Sequence, residues 1–264
     1  MQKAFDMISE ISAKENAATV EDYIGADGLL VCGKCGEKKQ AHIKTASIDR
    51  VVFVACACRR REEQKMREAQ ERMDAENRIK ELRRRGITSA EGYKQTFAND
   101  DGSNPGLMKI CRDYVKDWEQ NYKKNSGLLI YGSVGTGKSF GACCIANALI
   151  DKGIPALVTS LPKLIRAMRM DDVEQIMRDI ESVGLLVIDD FGVERATSFG
   201  QECVFEVIDT RVNSGKPLIV TTNLTPASMN GGGIETQRIY DRVLGVCRAI
   251  KCDGVSKRRM RSGK

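Results

Sequence analysis

The sequence predicts an α/β fold in which a parallel sheet is covered by helices on both faces. From Gly127 onwards, apolar segments of strand length alternate with segments of helical length. A glycine-rich loop separates the first of these strands from the first helix, and a later apolar strand ends in two aspartates. Both features lie where parallel strands end, which is where ligands of such folds bind.

The composition fits a domain of ordinary size with a smaller module attached. The chain has 264 residues, of which 42% are hydrophobic and 30% are charged. Apolar runs such as Leu185–Ile188 are shorter than the roughly 20 residues of a membrane span, and Met1–Glu10 lacks a secretion-signal pattern. We therefore expect a cytoplasmic protein without a membrane partner. The net charge of +6 favours a polyanionic partner such as nucleic acid, with a solvated basic surface as the alternative.

We expect three parts along the chain: an N-terminal module over 1–58, a charged helical linker over 59–95 and an α/β domain over 96–264. Mixed apolar and charged residues predict a helix over 1–24. Glycines, paired cysteines and β-rich runs over Ala41–Ala46 and Arg50–Ala55 then predict a small module built from hairpins.

The linker contains many strong helix formers, and 59–85 has no glycine or proline. An apolar stripe follows it at helical spacing, formed by Met66, Ala69, Met73, Ile79 and Leu82. A partner-binding helix and a solvated spacer both fit this pattern, and its high charge favours the spacer.

The α/β region follows a turn-rich stretch at 99–106 and a helix predicted over Leu107–Lys123. Strands are predicted at Leu128–Tyr131, Ala156–Thr159, Leu185–Ile188 and Leu218–Thr222. Helices are predicted at Phe140–Asp151, Leu161–Met168, Val173–Ile180 and Gly200–Asn213.

The glycine-rich loop has the pattern Gly-x-x-x-x-Gly-Lys-Ser of a phosphate-binding loop. Its backbone N–H groups can surround phosphate oxygens, and the following helix N-terminus adds partial positive charge. We expect Lys138 to contact the β- and γ-phosphates of ATP and the Ser139 hydroxyl to ligate Mg²⁺. A structural glycine turn is the alternative, which the strand–loop–helix context disfavours. The predicted ATP-binding residues of this loop are Gly132, Ser133, Val134, Gly135, Thr136, Gly137, Lys138, Ser139 and Phe140.

Polar residues end two of the predicted strands. Asp189 is placed to hold Mg²⁺, and Asp190 is then free to orient or deprotonate an attacking water, or else to cap a loop. Asn223 follows Thr221 and Thr222 at the end of the next strand, where it can hold the attacking water. A turn-forming asparagine before Leu-Thr-Pro is the competing interpretation.

Four of the ten cysteines cluster as Cys32-x-x-Cys35 and Cys56-x-Cys58. Two pairs on separate hairpins can form a tetrahedral zinc site, although Cys-x-Cys is the less usual spacing. His42, the single histidine, is an alternative fourth ligand. Free thiols or a redox pair would also fit, and the other six cysteines are expected in the core.

Taken together, these motifs resemble an AAA+ ATPase. Their order is the phosphate loop, the paired acids, the Thr-Thr-Asn strand end and then Arg238-Ile-Tyr-Asp-Arg242. The spans 127–142, 184–194 and 209–226 resemble the DnaC/DnaI helicase-loader branch, and the related IstB transposition ATPases share this core. The resemblance covers roughly residues 95–262, strongly at the motifs and loosely between them.

The resemblance implies further residue roles. Arg242 matches the arginine finger that completes a neighbouring subunit's site, and Arg238 could share that role or make a surface pair. Arg258, or the adjacent Arg259, matches an arginine that senses nucleotide within its own subunit. Asp190 stands where many AAA+ proteins carry glutamate, and the small helical lid after the core is absent or short, as in the loaders. The cysteine-bearing module is similar to the helicase-contacting region of DnaI-type loaders.

The resemblance implies an ATP-dependent loader of a DnaB-type hexameric helicase, using ATP, Mg²⁺ and Zn²⁺, self-associating and binding single-stranded DNA. A basic helix face at Lys163, Arg166 and Arg169 fits DNA contacts, or simply a solvated face. Three alternatives stay open: an IstB-like transposition helper on duplex DNA, a small-molecule kinase, and an adaptor that uses ATP only as a switch. The paired acids, Asn223 and Arg242, and the lack of an arginine-rich lid, disfavour the kinase.

Overall fold

A computed structural model describes residues 19, 21–45, 48–170, 172–192, 198–229 and 234–254. Contacts within the chain define two units, Met1–Ala75 and Glu76–Lys264. In the described part of the chain, no helix is both long and apolar enough to cross a membrane.

The first unit contains two antiparallel hairpins. Strand β1 (Tyr23–Ile24) pairs with β2 (Leu30–Val31), and β3 (Gln40–Lys44) pairs with β4 (Asp49–Phe53). The second hairpin confirms a strand within each of the two expected runs, 41–46 and 50–55, of which residue 46 lies outside the described residues. The helix expected over 1–24 is wrong at β1, because a turn that contains Gly28, with a φ of 76°, pairs this segment with β2 as a strand. Residues 1–18 and 20 of the expected helix lie outside the described residues.

Most of the linker expected over 59–95 forms one helix, α1 (Ala57–Gly86), as expected from its helix formers, and Ala90–Lys94 forms a second, short helix. Met66 and Met73 on its stripe are exposed, whereas Ile79 and Leu82 pack against the core of the second unit. The helix ends where Gly86 passes close to the backbone of Ala156, where a Cβ on residue 86 would lie only 1.9 Å from the Ala156 carbonyl oxygen.

A five-stranded parallel sheet forms the centre of the second unit and confirms the predicted fold class. Its order is β6-β7-β8-β5-β9, so the connections after β5 and β8 lead to opposite edges. Such a reversal leaves a crevice at the carboxyl ends of the strands. The strands are β5 (Gly127–Tyr131), β6 (Ala156–Ser160), β7 (Leu185–Phe191), β8 (Leu218–Thr222) and β9 (Cys247–Lys251).

Helices cover both faces of this sheet. Helices α3 and α5 pack on one face against Leu128, Val187 and Ile219, while α6, α7, α8 and α10 pack on the other against Leu186 and Val220. Alternate strand residues thus enter opposite cores, as the period of a strand requires. The helices are α2 (Ala90–Lys94), α3 (Pro105–Lys116), α4 (Trp118–Lys123), α5 (Lys138–Asp151), α6 (Leu161–Met170), α7 (Val173–Ser182), α8 (Ser198–Asn213), α9 (Pro226–Met229) and α10 (Ile234–Val246).

The helix predicted over Leu107–Lys123 is wrong in one respect, because it is broken at Asp117. The break turns Trp118 into the core, where its ring lies edge-on to Tyr114 with centroids 6.1 Å apart. The predicted elements did not include α10 and β9. Strand β9 lies at the sheet edge with exposed Arg248 and Lys251, so its apolar pattern is weak.

Candidate functional site

A cleft of about 740 Å³ lies beside the phosphate loop. Lys138, Ser139, Asp190 and Asn223, which come from three separate motifs, all line it. The rest of the lining includes residues of α2 and of the segment that follows it, a contribution that no motif signalled. These residues are Glu91, Lys94, Gln95, Asn99 and Asp101.

The phosphate loop has the backbone that its glycines were expected to provide. Gly135 and Gly137 have φ values of 83° and 97°, in the left-handed region that favours glycine. Thr136 is buried, and its hydroxyl donates to the Ser133 carbonyl at 2.9 Å. The Asn104 side chain donates to the Thr136 carbonyl at 3.3 Å and so ties the loop to the N-cap of α3. The loop is therefore held in shape by this chain's own contacts.

Lys138 is 5% exposed, and its ammonium group lies at the base of the loop. Its Nζ donates to the carbonyl oxygens of Gly132 and Ser133 at 3.0 and 2.8 Å. It also donates to Asn223 Oδ1 at 2.9 Å, which joins the loop to the end of β8. Two residues predicted separately thus form one polar group facing the cleft.

The two aspartates take different positions. Asp189 is half-buried, and its carboxylate accepts a hydrogen bond of 2.5 Å from the Thr221 hydroxyl. Asp190 is exposed and lines the cleft, with a φ of 54° that is rare for a residue other than glycine. Such conformations concentrate at functional sites.

Arg242 lies outside the residues that line this cleft. It forms an ion pair with Asp209 of α8 in the same chain, and its guanidinium carbon is 5.1 Å from the centre of the Phe205 ring. Arg238 is exposed and lines a separate cleft with Gln201 and Glu202. Arg258 and Arg259 lie outside the described residues.

The four cysteines predicted as metal ligands meet in space. The sulfur atoms of Cys32, Cys35, Cys56 and Cys58 all lie within 4.8 Å of one another. A tetrahedral Cys₄ zinc site separates its sulfurs by about 3.8 Å, so this cluster could hold such an ion after a small contraction. His42 is not part of this group of four; it lies on β3, with Nε2 2.5 Å from Asp49 Oδ1.

Local contacts favour a thiolate at Cys35 and oppose one at Cys58 and at Cys56, where burial raises the pKa. Hydrogen bonds from the backbone of Glu37 and Cys58 lower the pKa of Cys35 to about 6. The side-chain hydrogen bond between Cys58 and Cys35 raises the pKa of Cys58 to about 11. Cys58 also lies in the first turn of α1, whose N-terminus carries partial positive charge.

Glu37 joins the first cysteine pair to α1. Its carboxylate accepts from the Ala57 backbone N–H and from Arg60, both at 2.7 Å. A carboxylate at a helix N-terminus is stabilising, and here it offsets the basic residues that begin the helix. Sequence reasoning missed Glu37, because its partners lie twenty or more residues further along the chain.

The basic residues expected to contact DNA share the outer face of α6. Lys163, Arg166 and Arg169 are exposed, while Leu161 and Leu164 point into the core. Lys163 Nζ is 3.4 Å from the Thr88 hydroxyl, and the Arg169 guanidinium carbon is 4.9 Å from the centre of the Phe199 ring. Both neighbours are uncharged, and among the described residues none of the three basic side chains forms an ion pair.

A protein-family model matches the region of the chain that carries the cleft. The model of a family described as IstB-like ATP binding protein matches residues 60–264. The replicative helicase loader DnaI of Bacillus subtilis is 25% identical over 181 residues, covering 62% of this chain and 58% of that protein. The replicative helicase loader DnaC of Escherichia coli is 28% identical over 149 residues, covering 54% and 58%. The chain thus spans about 58% of the length of these relatives.

A solved structure supports the fold. The crystal structure of the DnaC helicase loader matches with a TM-score of 0.54 at 20% identity, covering 62% of this chain and all of that one. At this identity the likeness shows the fold alone.

Proposed function

Because the chain belongs to the family of IstB-like ATP-binding proteins, we propose that it hydrolyses ATP and uses the cycle to load a hexameric helicase onto single-stranded DNA. The convergence of Lys138, Asp190 and Asn223 on one cleft carries the ATPase part. A structural glycine turn would not require a buried lysine and two strand-end polar groups beside it.

The phosphate loop is proposed to bind the phosphates of ATP. The ammonium group of Lys138 provides positive charge for the β- and γ-phosphates, and the loop carbonyls hold it in place before ATP arrives. Ser139 and Asp189 are the oxygen ligands that would hold Mg²⁺, which would neutralise charge on the phosphates.

The ends of β7 and β8 supply the hydrolytic groups. Asp190 is exposed in the cleft, so its carboxylate can accept a proton from the attacking water. Asn223, hydrogen-bonded to Lys138, is positioned to orient that water at the γ-phosphate. Arg258 is proposed as the sensor of nucleotide within the subunit.

Arg242 is proposed to act on a neighbouring copy of the chain. A guanidinium group at the transferring phosphoryl group stabilises the charge that develops there. The Asp209 carboxylate and the Phe205 ring hold Arg242 at the surface between α8 and α10. Self-association that places this surface against a neighbour's cleft would complete the site.

The names of the relatives support a hexameric helicase as the partner on which the ATPase acts. DnaI and DnaC are described as replicative helicase loaders, and they match 62% and 54% of this chain. The module with the four cysteines is proposed to bind Zn²⁺ and to contact a DnaB-type hexameric helicase. Lys163, Arg166 and Arg169 are proposed to follow the backbone of single-stranded DNA.

The second candidate keeps the ATPase and changes the client. The family model is named after IstB, and an IstB-like helper would act on duplex DNA together with a transposase. The cysteine module favours the helicase loader, since the resemblance to DnaI-type loaders includes it.

Two variants and one control test the ATPase. Lys138→Ala should weaken equilibrium binding of a fluorescent ATP analogue by about 10- to 100-fold, the value of a charge-assisted contact. Asp190→Asn should bind as the parent does but lose about 100-fold or more in turnover. Lys109→Ala, which removes an exposed lysine of α3, should match the parent in both assays. Turnover of Asp190→Asn at the parental rate would remove Asp190 from the mechanism.

A loading assay tests the client. A closed-ring replicative helicase is mixed with circular single-stranded DNA carrying an annealed oligonucleotide, and release of the oligonucleotide is measured. The parent chain with ATP should raise the rate of release, and Lys138→Ala should not. Tighter ATP-dependent binding to duplex than to single-stranded DNA, with no effect on the helicase, would favour the transposition helper instead.

A further inference from the structure

Strand β7 carries one extra residue where it passes Thr221 of β8. Ile188 pairs with Val220 and Phe191 pairs with Thr222, so the two aspartates lie opposite a single residue. This arrangement is a β-bulge, which is uncommon between parallel strands. Bulges frequently occur beside active sites, where they redirect a side chain.

The Thr221 hydroxyl fills this bulge. It donates to Asp189 Oδ1 at 2.5 Å and accepts from the Asp190 backbone N–H at 3.0 Å. Thr221 is completely buried, so its hydroxyl group has no access to bulk water. One hydroxyl therefore fixes the side chain of the first aspartate and the backbone of the second.

The bulge explains why the aspartates differ. In a regular strand, Asp190 would point to the sheet face opposite Asp189, towards the core that contains Ile188. Its φ of 54° redirects the chain, and Asp190 instead lines the cleft with Lys138 and Asn223. The hydrogen bond from the Asp190 N–H to Thr221 holds that unusual conformation.

We propose that Thr221 is the positioning residue of this site: its hydroxyl aims Asp189 at the metal position and keeps Asp190 facing the cleft. The inference rests on the proposed function, in which Asp189 ligates Mg²⁺ and Asp190 accepts a proton. Groups that orient a metal ligand typically change metal affinity or activity by 10- to 100-fold when removed.

A purely structural role would give a different result. If Thr221 only filled space, an isosteric residue without the hydroxyl would change stability but not the metal requirement. Thr221→Val is that variant, since valine has nearly the same shape and no hydrogen-bonding group. Thr222→Val is the matched control, because Thr222 is equally buried on the same strand and its hydroxyl bonds to the Phe191 carbonyl at 2.7 Å.

The experiment measures hydrolysis as a function of Mg²⁺ concentration, and ATP binding in the presence of a chelator. Thr221→Val should raise the half-saturating Mg²⁺ concentration or lower kcat by about 10- to 100-fold, with chelated ATP binding within about twofold of the parent. Thr222→Val should lower the melting temperature and keep the parental Mg²⁺ requirement. A folded Thr221→Val with parental Mg²⁺ dependence and kcat would overturn the inference.

Thr221→Ser keeps the test decisive if the valine variant does not fold. Serine retains the hydroxyl and loses only the methyl group, so it should keep the Mg²⁺ requirement within about threefold of the parent. A larger shift for the serine variant would contradict the proposal. A parent chain without Mg²⁺-dependent hydrolysis would instead refute the proposed function.

Discussion

The guanidinium group of Arg211 is fully buried and bonds to backbone carbonyls. It donates to Ile180 and Val183 at the end of α7, to Gly184 before β7 and to Pro217 before β8, at 2.7 to 3.2 Å. Burial lowers the pKa of Arg211 to about 10, so it remains charged at neutral pH. One side chain thus fixes the starts of β7, which carries Asp189 and Asp190, and of β8, which Asn223 follows.

Arg211→Met should lower the free energy of unfolding by about 3 to 5 kcal/mol, because it leaves buried carbonyl groups without donors. Chemical denaturation monitored by circular dichroism measures the change. Arg178→Met is the control, since Arg178 is 55% exposed on α7 and should change the free energy by less than about 0.5 kcal/mol. Equal losses of unfolding free energy in the two variants would mean that the buried hydrogen bonds of Arg211 contribute no more to stability than an exposed arginine does.

At the level of residues, the motifs predicted the cleft, and the structure brings Lys138, Asp190 and Asn223 together at it. The roles of Thr221 and Arg211 could not be predicted. Thr221 acts through a bulge that exists only after β7 and β8 pair, and Arg211 acts through carbonyls of three other segments. Spacing in the sequence contains neither kind of information.

At the scale of the elements, the stability of the cysteine module cannot come from its hydrophobic core alone. Its strands are two to five residues long, and Tyr23, Ile24 and Val51 are exposed. So small a hydrophobic core rarely stabilises a unit unless a metal or disulfide assists. The four sulfur atoms supply the ligands that such a metal would need.

We expect one equivalent of zinc per chain in protein purified without chelator. Cys35→Ser should release the metal and unfold residues 25–58, because metal binding and folding are coupled in such modules. The ATP-binding unit should keep its melting transition. Cys203→Ala is the control, since Cys203 is buried in α8 away from the cluster and should retain zinc. Elemental analysis without zinc in the parent chain would rule the site out.

The exposed face of α6 gives a second prediction at this scale. Replacing Lys163, Arg166 and Arg169 by alanine should weaken single-stranded DNA binding and reduce the salt slope by about 2, at roughly 0.7 for each phosphate contact. The control replaces Lys116, Lys123 and Lys124, which are exposed and remove the same charge. Equal losses in both triple variants would show a general charge effect, and parental binding by the first would exclude this face.

The elements that periodicity predicted are those with a strong apolar pattern. The strands β5 to β8 and the helices α5 to α8 contribute buried residues to the two hydrophobic cores of the sheet. The apolar residues in their sequences therefore mark the positions that are buried. Strand β1 has only two residues, β9 is largely exposed at the sheet edge, and the break at Asp117 serves the packing of Trp118. Their positions depend on contacts made elsewhere in the fold, which local pattern does not report.

At the scale of the whole molecule, the family resemblance seen at the motifs is confirmed by the family match over 60–264. What assembles around this chain is a separate question, because a monomer's fold does not contain its neighbours. Arg242 is the residue through which assembly is proposed to affect catalysis. It lies beside Asp209 and outside the residues that line the cleft of its own chain, so the proposed arginine finger would act on the cleft of another copy.

Two inactive variants test that arrangement together. Lys138→Ala removes a phosphate contact within one subunit, so it should weaken ATP binding. Arg242→Ala should bind ATP as the parent does and lose turnover by about 10³-fold or more, the range for an arginine finger. Mixing the two should restore some turnover, since some interfaces then join an intact Lys138 site to an intact Arg242.

The ion pair with Asp209 provides the control for this experiment. If Arg242 matters only as a partner for Asp209, Asp209→Asn should reduce turnover as much as Arg242→Ala does. Mixing Arg242→Ala with Lys138→Ala should then give no rescue, because each chain would carry its own defect. A finger acting in trans predicts rescue in that mixture. Turnover no higher than that of either variant alone, at concentrations where the parent assembles, would argue against both the finger and the assembly it implies.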